Sequence, residues 1–377
     1  MIDFGKRLNS LKERRQESRE RAVFESVSMD SISKNRAIAA GLDLRTREAY
    51  EKLNESDSIK YAIGAMAPVD KKSTEVSISE GKRVADSLIK SLRDRGIDTI
   101  SKLQGSVALD IHIKGHSDVD MLIIKESVFH VESPRIIPNN YTDSDDRRTM
   151  ENIVKEIRLE SEKILLNNFP KVKVDCTGNK SIAMSEGSLQ RKVDVVPANW
   201  YDTIAYQQSK DENDRGVKIY HKGNHELIEN LPFKHIQLIS DKDDRYHGNL
   251  RSTIRLMKNM VADMPDYKKN VAKKLSSYDL ASIAYHMNDN LYLPYEMRLG
   301  LVEKIRAHIQ NLLTNSFLRI SLDVPDGSRK IFDSIEKAKA LEVLTSEFTA
   351  LAQSLAKDIR PYIDNYDSQV ILTKRVA

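Results

Sequence analysis

The chain has one cysteine, Cys176, in 377 residues. That excludes an intrachain disulfide and matches the cysteine usage of a reducing compartment, so a cytoplasmic location is expected. As a lone thiol, Cys176 reads as inert and partly buried. Long apolar runs are also missing. Stretches such as Met-Leu-Ile-Ile at 121–124 fall far short of the ~20 residues that cross a bilayer. The opening residues MIDFGKRLNSLKERRQ hold no apolar h-region, so neither a secretory signal nor a membrane partner is expected. No strong charge of one sign is present: 60 Lys and Arg face 56 Asp and Glu, for a net charge of +4 and a pI near 8.8. A duplex-binding domain carries a denser basic face, so no stable nucleic-acid partner is expected, and the balance leaves room for a local phosphate-attracting pocket. There is no Gly-x-x-x-x-Gly-Lys and no Gly-x-Gly-x-x-Gly, which leaves P-loop and dinucleotide-binding readings without support.

The chain is 40% hydrophobic, with a mean hydropathy of −0.50. It can bury a large core in two or three lobes. Residues 5–26 interleave Arg and Lys with Glu, with Leu8, Leu11 and Val23 near helical spacing, and read as an exposed, charge-paired helix. Helices are expected to continue to about 66, with a turn at 66–74. Val84, Ala85, Leu88, Ile89 and Leu92 then mark an amphipathic helix over 77–95. After it come a turn, a short strand and a bend at Gly105, then the strand around 118–124. A polar loop at 133–148 leads to a helix over 149–168 and to strands at 171–177, 181–186 and 191–198. From about His247 onward the periodicity is helical throughout.

Within this frame one constellation carries chemistry. In HSDVDMLII, Asp118 and Asp120 lie two residues apart on an apolar strand, so they share one face roughly 6.6 Å apart. Like charges so close repel unless a cation lies between them, and hard divalent ions take oxygen ligands. A later strand, RKVDVVPANW, repeats the anomaly with Asp194 between Val193 and Val195. If the two strands are neighbours, three carboxylates meet and can hold two Mg2+ (or Mn2+) ions about 4 Å apart. Upstream, Gly105 permits close backbone approach and Ser106 offers a hydroxyl to a phosphate. Phosphate cradle and metal strands together point to phosphoryl or nucleotidyl transfer.

Other candidates have simpler readings. The Asp-x-Asp runs DSDD (143–146) and DKDD (241–244) read as solvated loops. His221 and His225 have the spacing of a helical metal pair, but Gly223 and Asn224 between them favour a turn, and no Glu or Cys completes a zinc site. Met257, Met260 and Met264 read as core, and Trp200 as packing. Asp110 and His112 are expected to shape their loop, without a chemical role.

The set Gly105-Ser106, HSDVDMLII and RKVDVVPANW resembles the polymerase-β-type nucleotidyltransferase signature. Its Asp-Val-Val-Pro-Ala ending is most similar to the bacterial CD-NTases, the cGAS/DncV-like synthases of anti-phage signalling. The resemblance is closest over residues 75 to 200. It implies an α+β nucleotidyltransferase core with a mixed sheet (71–245) and a helical C-terminal lobe (246–377), with 1–70 as an N-terminal helical segment and the active site in the cleft. It further implies nucleoside triphosphate substrates, a cyclic di- or trinucleotide second messenger as product, and an effector protein that senses it. The alternative is a nucleotidyltransferase that modifies an RNA 3′ end or a protein. Asp118, Asp120 and Asp194 take the catalytic and metal roles in this family pattern, and Ser117 joins Gly105 and Ser106 at the nucleotide. STIRLMKNM resembles the helix whose lysine reaches the triphosphate, which places that role on Lys258. KLSSYDLASIAYHM resembles the segment in which a serine meets phosphates and the next aromatic stacks on a base, here Ser277 and Tyr278. Read without the resemblance, Lys258 is a solvated helix lysine, and Ser276-Ser277 cap a helix with Asp279 in its first turn.

Overall fold

The computed structural model describes residues 2–26, 47–136, 141–142, 144–362 and 365–376, and of 16–26 the backbone only. The helices expected across 27–46 and part of the loop expected at 133–148 lie outside the described residues. Two compact units emerge, one from the stretches 1–69, 113–116 and 242–377, the other from 70–112 and 117–241.

The first unit begins with helices α1 (Phe4–Ser26) and α2 (Asp57–Met66). Phe4, Leu8 and Leu11 recur one turn apart and are buried, because a stripe at helical spacing must find an apolar partner. Among the described side chains of α1, Lys6 and Glu13 are exposed as the sequence reading expects, but Arg7 and Arg15 are buried, contrary to it. Arg7 is buried and pairs with Glu347, which also accepts from Lys268 Nζ at 2.7 Å. Arg15 is held by Glu48 at 2.9 and 2.7 Å and by the Pro68 carbonyl at 2.8 Å. The segment up to Val69 therefore belongs to the same unit as the C-terminal helices, and Asp70 already belongs to the other. Glu347 is fully buried, so Glu347→Ala leaves Arg7 in the interior without its counter-charge. The expected loss is about 3–5 kcal/mol, read as a shift in denaturant midpoint, and a shift under about 1 kcal/mol would contradict the assignment.

The second unit is built on a seven-stranded sheet. Helix α3 (Lys71–Arg93) precedes it. It starts six residues earlier than the apolar spacing indicates, because the Asp70 carboxylate accepts from Ser73 N at 2.8 Å and caps the first turn. The break expected over 66–74 thus narrows to 67–70. Then follow β1 (Thr99–Gln104), the single turn α4 (Gly105–Ala108), β2 (Val119–Val131), α5 (Met150–Asn168), β3 (Lys173–Asp175), β4 (Ile182–Ser185) and β5 (Val193–Asp202). The hairpin β6 (Gly216–His221) and β7 (Glu226–Asn230) completes the sheet. The strand order is β1-β2-β5-β4-β3, with β6 joined to β5 and β7 to β6. The β2–β5 pair is parallel and its flanking pairs are antiparallel, so the sheet is mixed.

Side-chain alternation divides the core between the two faces. Val119, Met121 and Ile123 of β2, with Val193 and Val195 of β5, pack against Val84, Leu88 and Leu92 of α3 and Ile157, Ile164 and Leu165 of α5. Leu122 and Ile124, with Val196, Ala198 and Trp200, form a second cluster with Val217, Ile219 and Phe233. Trp200 is buried beside Phe233, ring centroids 5.7 Å apart, with the Arg215 guanidinium 4.2 Å from its ring centre, so it serves packing as expected.

The β6–β7 hairpin had no clear sequence signal. His221 and His225 flank its turn: His221 Nδ1 accepts from Asn224 N at 3.1 Å, and His225 Nδ1 lies 2.9 Å from Tyr220 Oη. The first unit resumes with α6 (Asn249–Ala262), α7 (Ser277–Tyr285), α8 (Gly300–Thr314) and α9 (Ile335–Ile359). Met257, Met260 and Met264 are core here. The DKDD run is not a solvated loop. It lies in the helix Pro232–Arg245, and the buried Asp243 accepts from Arg251 N and Arg251 Nη1, both at 2.8 Å.

Candidate active site

The carboxylates stand where the sheet leaves its apolar core. Asp120 shares its face with Leu122 and Ile124, away from α3 and α5, and Asp194 does the same with Val196 and Ala198. In the parallel β2–β5 ladder, Asp120 is the partner of Asp194. Asp118 lies two residues before Asp120, just ahead of β2. All three are half-buried.

Burial pushes the Asp118 carboxyl above the usual carboxylate range, with Lys192 opposing. Asp194 is raised in the same way, first by burial and then by the charge of Asp118, against a hydrogen bond from Ser181 and the charge of Lys192. Ser181 Oγ donates to Asp194 Oδ2 at 3.3 Å. An all-oxygen donor set in which burial raises two members fits a hard divalent cation, whose charge would favour their ionised forms. The side chains are not drawn in around one point: among the described residues, no three carboxylates, imidazoles or thiols stand at ligand spacing.

On the other side of β2, β1 ends at Gln104, the antiparallel partner of Asp120. The chain then turns through Gly105 at φ +74°. A Cβ at this position would lie 2.2 Å from Asp120 Oδ2. The absent side chain is therefore what lets the bend and the carboxylate occupy adjoining space. Ser106 follows in α4, half-buried, and its carbonyl accepts from Ile111 N at 3.0 Å. Asp110 adopts φ +53° and stands 3.9 Å from His112 Nδ1, and His112 Nε2 lies 3.1 Å from Thr74 Oγ1. These two residues do shape the loop that leads to the half-buried Ser117.

Gly105, Ser106, Ser117, Asp118, Asp120 and Asp194 thus belong to one unit; Lys258, Ser277 and Tyr278 belong to the other. Lys258 on α6 is buried, which removes the reading of a solvated helix lysine. Ser276 caps α7 in a capping box with Asp279, and Ser277 is the exposed first residue of that helix. Tyr278 is half-buried. Its hydroxyl donates to Asp326, the Arg329 guanidinium sits 5.4 Å from its ring centre, and burial followed by the Asp326 charge raises its pKa strongly. Cys176 is half-buried and its thiol is pushed up by burial and then by Glu162, as an inert cysteine should be.

Residues 237–354 match the cGAS/DncV-like nucleotidyltransferase C-terminal helical domain. Over 363 residues the chain is 38% identical to the cyclic dinucleotide synthase CdnE of Yersinia aleksiciae, covering 94% of this chain and 93% of that one. The chain belongs to the cGAS/DncV-like nucleotidyltransferases. It is also 30% identical over 321 residues to a c-di-GMP synthase of Capnocytophaga granulosa, with 80% of this chain and 88% of that one covered. The solved structure of the STING-associated CdnE c-di-GMP synthase from Capnocytophaga granulosa matches at a TM-score of 0.64 and 27% identity, covering 92% of this chain and 98% of that one. In this nucleotidyltransferase, no helix among the described residues is long and apolar enough to cross a membrane. Two residues at the site were not found in the sequence. Ser181 lies in a polar connection, and Lys192 is an exposed lysine whose charge acts on Asp118 and Asp194. Only strand pairing reveals either one.

Proposed function

We propose that the chain joins two nucleoside triphosphates into a cyclic dinucleotide second messenger, releasing pyrophosphate at each step. The observation that carries this is the register of Asp120 against Asp194 in a chain that aligns over nearly its full length with a named cyclic dinucleotide synthase. Asp118, Asp120 and Asp194 would hold two divalent cations, Mg2+ or Mn2+, which would neutralise charge on the triphosphate. Asp194 accepts the proton of the attacking ribose hydroxyl. That oxygen bonds to the α-phosphorus of the donor as the bond to pyrophosphate breaks. A second such step, from the free hydroxyl of the linear intermediate, closes the ring. Gly105, Ser106 and Ser117 contact the donor phosphates. Lys258, Ser277 and Tyr278 also contact nucleotide in this proposal, supported by the likeness of their segments to the family pattern. The product addresses an effector protein in anti-phage signalling. The Capnocytophaga granulosa structure is that of a STING-associated synthase.

The reading is tested with four labelled nucleoside triphosphates and Mg2+ or Mn2+, with and without added RNA or protein, followed by phosphatase and mass analysis. A ring has no terminal phosphate, so the expected main product survives phosphatase and does not depend on added macromolecule. A ladder of linear chains, or label only on an added acceptor, would overturn the proposal in favour of macromolecule modification.

A further inference from the structure

The connection between β3 and β4 is fastened from outside the sheet. Arg158 on α5 has a fully buried side chain, a placement that costs several kcal/mol in desolvation unless its donors are met. Its Nε donates to Glu162 at 2.7 Å and its Nη2 to the carbonyls of Cys176 at 3.1 Å and Gly178 at 2.9 Å, while Nη1 is buried without a hydrogen-bond partner among the described residues. Lys222, in the turn of the β6–β7 hairpin, holds the same stretch. Its Nζ reaches Glu162 at 2.7 Å and the Cys176 carbonyl at 3.2 Å, and its backbone N–H donates to the Asn179 carbonyl at 2.8 Å. A helix and a hairpin therefore hold three backbone carbonyls of one short connection, those of Cys176, Gly178 and Asn179.

That connection ends at Ser181. In the antiparallel β4–β5 pair, Ala183 is the partner of Asp194. Ser181, two residues earlier, lies on the same face as a diagonal neighbour. Its hydroxyl donates to Asp194 Oδ2 at 3.3 Å. One oxygen of the Asp194 carboxylate is thereby held by a hydroxyl donor. We infer that Ser181 is a positioning residue for nucleotidyl transfer, orienting Asp194, and that the buried Arg158 sets where its hydroxyl stands. The inference rests on the reading of Asp194 as the third carboxylate of the site.

The test compares Ser181→Ala, Ser181→Thr, Arg158→Met and Asp194→Asn in the full chain. It measures kcat and KM for nucleotide incorporation, thermal melting, and Mn2+ affinity from the free-ion EPR signal. Loss of an outer hydrogen bond to a ligating carboxylate is expected to lower kcat and Mn2+ affinity by about 10-fold in Ser181→Ala, with KM and melting unchanged. Threonine keeps the hydroxyl and should recover both quantities. Arg158→Met, if folded, should lower kcat similarly and add nothing further on top of Ser181→Ala. If it does not fold, Arg158→Lys, which keeps the charge and loses the fork that reaches both carbonyls, takes its place. Wild-type kcat and Mn2+ affinity in Ser181→Ala beside an inactive Asp194→Asn would overturn the positioning role. Full kcat in a folded Arg158→Met would overturn the part given to the clamp. An active Asp194→Asn would instead remove the site reading beneath both.

Discussion

Asp194→Asn is expected to lower nucleotide incorporation by at least about 1,000-fold, which corresponds to about 4 kcal/mol of lost transition-state stabilisation. Asparagine keeps the shape but supplies neither the charge that offsets a cation nor the base that takes the hydroxyl proton. Stability should move the other way. Burial and the neighbouring Asp118 hold the Asp194 carboxyl above its ordinary range, so between the ordinary carboxylate pKa and this raised value the folded state binds more protons than the unfolded state. Stability therefore falls as pH rises through that window, and at neutral pH the ionised pair is a burden on the cation-free protein. In chelator, the variant should melt at or above the wild-type temperature, with a weaker decline towards neutral pH. Added Mg2+ should stabilise the wild type and not the variant. A variant that incorporates nucleotide at the wild-type rate, or that melts well below it in chelator, would show that Asp194 is structural.

Gly105→Ala should lower activity about 100-fold for a different reason, and a second glycine provides the control. Gly105 and Gly96 have nearly the same φ, +74° and +76°. Alanine in that left-handed region costs roughly 1–2 kcal/mol at either position. At Gly96 nothing lies within 4 Å of the added Cβ, whereas at Gly105 it would meet Asp120 Oδ2 at 2.2 Å. The carboxylate or the bend must move, and a displacement near 1 Å in a reacting constellation costs about 100-fold. Gly96→Ala should lose a similar amount of stability from the backbone alone while keeping full turnover. Equal activities in the two variants would mean that the Gly105 bend does not set the Asp120 position.

The features legible in the sequence were those that break a local pattern. Asp120 and Asp194 interrupt apolar strands, where an ionised side chain needs a partner, Asp118 stands just ahead of one, and Gly105 marks a bend after a short strand. Helices such as α3 and α5 were legible from their spacing, since an amphipathic stripe repeats within a few residues. The N-cap that starts α3 at Lys71 was missed because Asp70 sits in a polar run that resembles a turn. Charge was misread wherever its partner lies far along the chain. Arg7 looked solvated until Glu347, 340 positions away, was found beside it. Asp243 looked like loop until Arg251 closed on it from the next helix.

The residue types of the candidate site were therefore legible in the sequence alone, because a carboxylate among strand-forming apolar residues breaks the local pattern. Only tertiary structure decided that Asp120 and Asp194 are register partners, that Ser181 reaches Asp194, and that Lys258 is buried. The N-terminal helix joining the C-terminal helical unit was decided in the same way. Strand order, register and the burial of a charge all depend on contacts between residues distant in sequence, and no local periodicity encodes those distances.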